Sequence, residues 1–373
     1  MDASTAEDYL SIKCPNCGNP QVSYNEQLGK LHCDYCEYTQ DLPGENDEIV
    51  ERPLHAGMAM TDLPRGLNIE ARVYHCQSCG SERSIASDTV GLTCPFCGSE
   101  AVNESATETR VIQPAGLIPF AIAKEEAYKK FRKWLGRGWF HPNNLSQLAS
   151  LDKIMGIYLP FWTFDASTYS QWTAQAGYYY YETRYVTDAN GNRRAQQVRK
   201  IRWQNVSGRF QHFFDDVLVV ASHGVSQSLS EKIYPYDLTQ LVNYDAHYLL
   251  GWETELYQHD LKDSYQTADR IMDDSIREMI IRQIPGDTFR FLKVRTQKDR
   301  LTYKHLLLPA WVAGYRYKGK VFQFLVNGQT GRIGGKKPLS AWKIAIAVIL
   351  GLIVIGGIVL VAEYQNGNIQ LPF

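Results

Sequence analysis

The sequence predicts two small β ribbons, a cytosolic α+β domain, and one C-terminal transmembrane helix. Three observations carry this. All eight cysteines fall into four Cys-x-x-Cys pairs: Cys14/Cys17, Cys33/Cys36, Cys76/Cys79 and Cys94/Cys97. An apolar run from Ile344 to Ala362 holds 19 residues without a charge. Between them, strand-like aromatic segments alternate with two stretches of helical periodicity. The order is a first ribbon over 10–40, a linker over 41–70, a second ribbon over 71–99 and a linker over 100–113. The α+β domain then covers 114–335, the membrane helix 342–363 and an extracytoplasmic tail 364–373.

The cysteine spacing decides the ribbons. The two pairs of the first are separated by 15 residues and those of the second by 14. Each Cys-x-x-Cys makes a tight knuckle, and Gly18, Gly80 and Gly98 follow second cysteines, where a small residue lets backbone N–H groups turn toward sulfur. Four thiolates suit tetrahedral zinc at about 2.3 Å. Two structural Zn²⁺ ions are therefore expected, on Cys14, Cys17, Cys33 and Cys36 and on Cys76, Cys79, Cys94 and Cys97. Iron and redox thiols are the alternatives. Val22–Tyr24 and Lys30–His32 read as strands of a hairpin turned at Leu28-Gly29. His32 and His75 read as strand residues rather than ligands. So small a module buries too little apolar surface to fold alone, and metal supplies much of its folding energy.

Charge is uneven. Residues 1–113 carry 7 Lys/Arg against 18 Asp/Glu, and residues 114–373 carry 32 against 22. Nucleic-acid binders contact phosphate through Lys and Arg, so the cysteine-bearing part has the wrong sign. No apolar signal segment precedes the first ribbon, and the thiols are expected in the reducing cytosol.

In the α+β domain, Ala123–Leu135 carries an apolar stripe of Ala127, Phe131 and Trp134–Leu135 and reads as a helix. Residues 148–155 read as a short turn or helix. Gly156–Asp165 and Ser167–Tyr181 read as strands, with a turn at Asp188–Asn192. The return arm holds Arg193, Arg194, Arg199, Lys200 and Arg202, a basic strand that protects a sheet edge or meets an anionic surface. Phe210–Ser222 reads as another strand. Asp215-Asp216 suggests a carboxylate pair, but neighbours on a strand point to opposite faces and do not simply share a site, so the doublet reads as a bulge or a turn between strands. Lys262–Ile284 is the most helix-like segment, stopped by Pro285-Gly286, with Trp252–Tyr257 as its lead-in. Arg290–Gln297, Leu301–Leu308 and Val321–Val326 read as strands. Tyr158-Leu-Pro160-Phe-Trp162 echoes Leu307-Leu-Pro309-Ala-Trp311, which suggests two related halves, 114–222 and 229–335, or a chance similarity.

The apolar run spans roughly 28 Å as a helix, matching a hydrocarbon core of about 30 Å. Trp342 and Tyr364 mark its interfaces. Arg332, Lys336, Lys337 and Lys343 crowd its N-terminal flank, which puts residues 1–343 in the cytosol and the tail outside by the positive-inside rule. No P-loop, HExxH or GxSxG pattern occurs. His212, His223, His247, His259 and His305 show no site-building spacing, so no catalytic residue is assigned and the chain does not read as an enzyme.

These residues together resemble a bacterial family of zinc-ribbon single-pass membrane proteins. Its members are often labelled as similar to primosomal protein N′ or replication factor Y helicase, or as TFIIB-type zinc ribbons. The resemblance lies in the CPxCG-type knuckles, the Leu-Pro-x-Trp strand starts, and Val326-Asn-Gly-Gln-Thr-Gly331-Arg-Ile-Gly334 ahead of the membrane helix. It implies an adaptor in envelope stress, with partners resembling PspA (ESCRT-III-like) and SPFH or flotillin-like proteins. The alternative is a nucleic-acid-associated membrane protein using its ribbons and basic strand. Homo-oligomerisation stays open.

Overall fold

A computed structural model describes residues 13–19, 22–42, 49–59, 72–85, 93–104, 112–142, 145, 154–187, 193–318 and 320–365. The expected turn at Asp188–Asn192 lies outside them, as does the element expected over 148–155 except at Ile154 and at Met155, which opens a strand, and the tail expected over 364–373 except at 364–365, which continue the last helix. The first ribbon holds β1 (Val22–Asn25), β2 (Lys30–Cys33) and β3 (Thr39–Gln40), an antiparallel sheet of its own. β4 (Arg52–Pro53) and α1 (Leu54–Met58) follow. The second ribbon holds β5 (Arg72–Cys76), β6 (Glu82–Ile85) and β7 (Val102–Glu104). Then come β8 (Gly116–Leu117), α2 (Lys124–Leu135), β9 (Met155–Thr187), β10 (Arg193–Val220), α3 (Gln227–Ser230), β11 (Val242–Asn243) and β12 (Glu253–Glu255). The chain continues as α4 (Leu261–Ile281), β13 (Thr288–Tyr317), β14 (Lys320–Asn327), β15 (Ile333–Gly335) and α5 (Ala341–Gln365).

The centre is the antiparallel pair β9–β13, which runs from Gly177 opposite Thr288 to Met155 opposite Val312. The two echoed segments lie against each other in it: Pro160 faces Leu307, and Tyr158 faces Pro309. Around them one element order occurs twice, short strand, helix, long strand, strand: β8–α2–β9–β10 and β12–α4–β13–β14. Each short strand pairs in parallel with the other group's long strand, β8 with β13 and β12 with β9.

The two-residue period of the long strands sorts their side chains. Tyr158, Leu307, Trp311 and Phe324 face α2, whose Phe131 ring stacks on Phe324 with centroids 3.4 Å apart. Trp162, Phe164 and Trp172 face α4, which presents Ala268, Met272, Ile276 and Ile280 at four-residue spacing. The carboxylate of Asp260 caps α4 by accepting the Asp263 N–H at 2.7 Å. On the opposite face, Leu159, Phe161, Leu306, Leu308 and Val312 pack against the second ribbon.

Four sequence expectations change. Trp252–Tyr257 does not lead into a helix: Glu253–Glu255 is a strand bridging β6 and β9, with Thr254 fully buried. Strands read as separate segments are continuous, because bulges at Phe214/Val217, Arg290/Lys293 and Asp299/Thr302 break the alternation without ending the pairing. Asp216, Phe291 and Arg300 take positive φ at these bulges. Part of the first linker is packed: Arg52–Pro53 pairs with Tyr303–Thr302, and Gly57 lies so close to the Tyr303 ring that a Cβ would sit 2.4 Å from it. Part of the second linker is sheet, as β7 completes the second ribbon against β5.

β9 and β10 continue past the sheet. Beyond Gly177, residues Tyr178–Thr187 pair only with Arg193–Arg202 among the described residues, forming an arm roughly 33 Å long. Tyr179, Tyr180, Tyr181 and Tyr185 are exposed on it, and the Arg199 guanidinium sits 4.4 Å from the Tyr179 ring centroid.

The helix Ala341–Ala362 is 22 residues long and apolar enough to cross a membrane; its most apolar 18-residue stretch is not buried in the described chain, while Lys343 near its start is.

Candidate metal centres

Four knuckles with one backbone design hold the cysteines. In each, the N–H of the residue after the second cysteine bonds back to the first: Gly18 to Cys14 O at 2.8 Å, Glu37 to Cys33 O at 2.9 Å, Gly80 to Cys76 O at 2.8 Å, and Gly98 to Cys94 O at 2.7 Å. That closing residue has φ between 59° and 77° in all four. This explains three glycines at that place, because the left-handed region is open to them without steric cost. Glu37 adopts it without that freedom.

The knuckles meet in two groups, Cys14, Cys17, Cys33 and Cys36, and Cys76, Cys79, Cys94 and Cys97, with all sulfurs of a group within 4.8 Å of one another. In the first, Cys14 and Cys36 sulfurs are 3.5 Å apart and Cys17 and Cys33 sulfurs 3.8 Å. In the second, Cys76–Cys97 and Cys79–Cys94 are both 3.6 Å. A tetrahedron with bonds of about 2.3 Å has edges of about 3.8 Å, so both donor sets fit a zinc-sized cation. Crowding splits the thiols' acidities. The Asn16 side-chain amide, aided by the Tyr38 backbone, pulls Cys36 down to about 6. A hydrogen bond from Cys79 pulls Cys94 down to about 4.

The surroundings of the two groups differ. In the first group Cys14 and Cys33 are buried, Cys36 is half-buried and Cys17 exposed; in the second Cys76, Cys94 and Cys97 are buried and Cys79 half-buried. The first ribbon touches the rest of the protein through Tyr24 and Leu31, packed on Leu250 and Tyr248. Two hydrogen bonds join it there, Tyr24 N to Leu250 O at 3.0 Å and Trp252 Nε1 to Tyr24 O at 3.1 Å. The second ribbon is continuous with the central sheet through β6 and β12. Phe96, inside its last knuckle, is fully buried in the main core and forbids a side chain at Gly224, where a Cβ would lie 2.6 Å from its ring. Arg83 of β6 is wholly buried and paired with Glu253. Glu255 is buried beside it, and burial pushes its carboxyl up to about 8.

His32 bonds to Asp34 and His75 pairs with Glu82, so neither joins a cysteine group. The other histidines have separate surroundings. His305 is buried beneath Trp162, with burial pushing it down to about 4. His223 and His259 stack edge-on at 4.7 Å beside a cleft of about 610 Å³ between the second ribbon and α4, also lined by Cys79 and Arg270.

One cluster escaped the sequence reading. Glu51, Asp165 and Asp215 converge within 4.8 Å. The bulge that separates Asp215 from Asp216 also brings Asp216 to the same place. Lys304 answers the charge, bonding Glu51 at 3.0 Å and Asp216 at 2.8 Å. Burial raises Asp165 to about 6. The cluster pins the first linker to the sheet, and the Asp215-Asp216 doublet was its one visible signal.

The chain is similar to the protein described as "Uncharacterized protein YdjG" of Bacillus subtilis (strain 168), with 29% identity over 341 residues, 90% of this chain and 92% of that protein. No family model and no solved structure matches. The likeness extends over nine-tenths of the chain, well beyond the cysteine knuckles.

Proposed function

We propose that the protein is a membrane-anchored adaptor without catalytic activity, whose two zinc ribbons face the cytosol and recruit or scaffold partner proteins at the bacterial membrane, in envelope stress. The observation that carries this reading is the joining of two four-cysteine clusters to one sheet domain that ends in a membrane-spanning helix. When bound, zinc ties the knuckles into rigid shapes. Four sulfurs per group complete a tetrahedron and leave no position open for a substrate. Arg332, Lys336, Lys337 and Lys343 before the helix favour a cytosolic location for everything preceding it.

The first ribbon offers the more accessible surface. Tyr35, Tyr38 and Leu28 are exposed around its knuckle and turn, the residue types that anchor protein interfaces. Following the family resemblance, the partners are PspA-like and SPFH or flotillin-like proteins. Affinity capture of the full-length protein from crosslinked membranes tests this. Recovery of such partners, lost on substitution of Tyr35 and Tyr38 by Ser, is the expected result. Capture of no membrane-associated partner would sink the reading.

The tyrosine and arginine arm favours a second reading, nucleic-acid association, because aromatic rings beside guanidinium groups stack on bases and meet phosphate. It requires salt-dependent RNA or DNA binding that disappears when Arg193, Arg194, Arg199 and Lys200 are neutralised. Absence of binding at about 50 mM salt ends it.

A further inference from the structure

We infer that the Gly136–Pro142 loop is a second membrane contact, with Trp139 and Phe140 set into the headgroup region of the leaflet that α5 enters first. The inference rests on reading α5 as a membrane span and adds to it a fixed pose of the domain on the bilayer.

The loop is fastened to the start of α5. The Ser340 N–H donates to Phe140 O at 2.8 Å, one residue before the helix begins. His141 Nδ1 donates to Pro338 O at 2.9 Å, and Lys343 Nζ donates to His141 O at 2.9 Å. Lys337 reaches back to the end of α2, where its ammonium bonds Trp134 O and Arg137 O and lies 4.2 Å from the Trp134 ring centroid. Carbonyls at a helix C-terminus carry partial negative charge and favour such a cation. Gly138 closes the loop at φ +106°, where a Cβ would sit 2.6 Å from the His141 ring. The membrane helix is therefore clamped to the domain rather than hung from it by a free tether.

Depth follows from these bonds. A helix of 22 residues spans about 33 Å, slightly more than the hydrocarbon core, so its first residues lie at the interface. Phe140 is hydrogen-bonded to the residue just before that helix, and so sits at nearly the same level whatever the tilt. The side chains match that level. Trp139 is 57% exposed, Phe140 44%, Leu339 62% and Trp342 61%. The Trp139 and Phe140 rings pack edge to face at 5.1 Å. Four large apolar groups facing water around one helix end would be costly, whereas aromatic rings are favoured at the bilayer interface. Lys133, Arg137 and Lys336 are exposed nearby, giving the patch the sign that anionic headgroups attract.

The test uses full-length protein reconstituted in vesicles of phosphatidylcholine and phosphatidylglycerol, with and without brominated acyl chains. Wild-type emission minus that of Trp139→Phe isolates Trp139, and the same subtraction with Trp342→Phe isolates Trp342. Both replacements keep a ring at an exposed position, so folding is preserved. The expected result is that brominated lipid quenches both difference spectra, Trp139 by about twofold or more. Quenching of Trp342 with Trp139 open only to aqueous acrylamide would overturn the loop's role and leave the span intact. Quenching of neither would overturn the span and the inference together.

Discussion

The two ribbons share a cysteine pattern, knuckle geometry and a sulfur spacing near 3.6 Å, yet they stand in opposite relations to the rest of the protein. The first is a separate three-stranded sheet that, among the described residues, meets the domain through a small cluster around Tyr24, Leu31 and Leu250 and two backbone-carbonyl hydrogen bonds. The second is built into the central sheet, and three of its cysteines are buried. One residue makes the contrast plain. The last knuckle of the second ribbon carries Phe96, fully buried, where the opening knuckle of the first carries exposed Asn16. The same four-cysteine device thus stands as a surface module in one place and as a core component in the other.

The largest effect that would expose this difference comes from removing one ligand at each site. Cys94→Ser should cost on the order of 5 kcal/mol or more and abolish cooperative unfolding of the domain, since it breaks a buried metal site and the packing around it. Cys33→Ser should unfold the first ribbon and shift the main transition by less than about 1 kcal/mol, read by calorimetry or denaturant titration. Equal costs at the two sites would erase the distinction.

Phe96→Asn gives the second ribbon the polar knuckle of the first. It should cost about 3–5 kcal/mol in denaturant midpoints, as truncation of a buried aromatic does. A cost under about 1 kcal/mol would show that the second ribbon is not part of the core.

Zinc release should be biphasic. With chelator and a thiol reagent, one equivalent should leave first from the first site, where Cys17 is exposed. The other should leave at least about tenfold more slowly, the factor supplied by roughly 1.4 kcal/mol of extra opening free energy. A single phase would contradict unequal burial.

Glu255 gives the most specific effect, one spread over a pH window. Its folded carboxyl stands at about 8 against an ordinary value of 4.5 because burial disfavours the anion. Between those values the folded state binds the extra proton. Stability from this group is therefore present below the unfolded value and falls as pH rises through the window, at up to about 1.4 kcal/mol per pH unit. Glu255→Gln should flatten that slope relative to wild type, with zinc saturating in both. An unchanged slope would place the proton elsewhere.

The sequence carried some of this plainly and hid the rest for physical reasons. The cysteine pairs are legible because a tetrathiolate site needs those residues at those short spacings. α4 is legible because Ala268, Met272, Ile276 and Ile280 mark one helical face over several turns. The Asp215-Asp216 doublet is visible in the sequence, although strand alternation argues against a shared site and the bulge brings both to Asp165. Its partner Lys304 is not, because Glu51, Asp165 and Lys304 are joined only by tertiary contact. Glu253–Glu255 was misread because three residues are too few to show a period, and its strand character comes from neighbours on both sides. The fusion of the second ribbon to the core was hidden by its closely similar cysteine pattern. Phe96 within its knuckle was the available sign, since an apolar ring there needs somewhere to be buried.

Metal stoichiometry on the full-length protein, purified in detergent and exhaustively dialysed against metal-free buffer, tests the central claim most directly. Two zinc ions per chain, falling to one in Cys33→Ser with the domain still folded, is the predicted result. A chain that holds no metal and keeps both ribbons folded would contradict it.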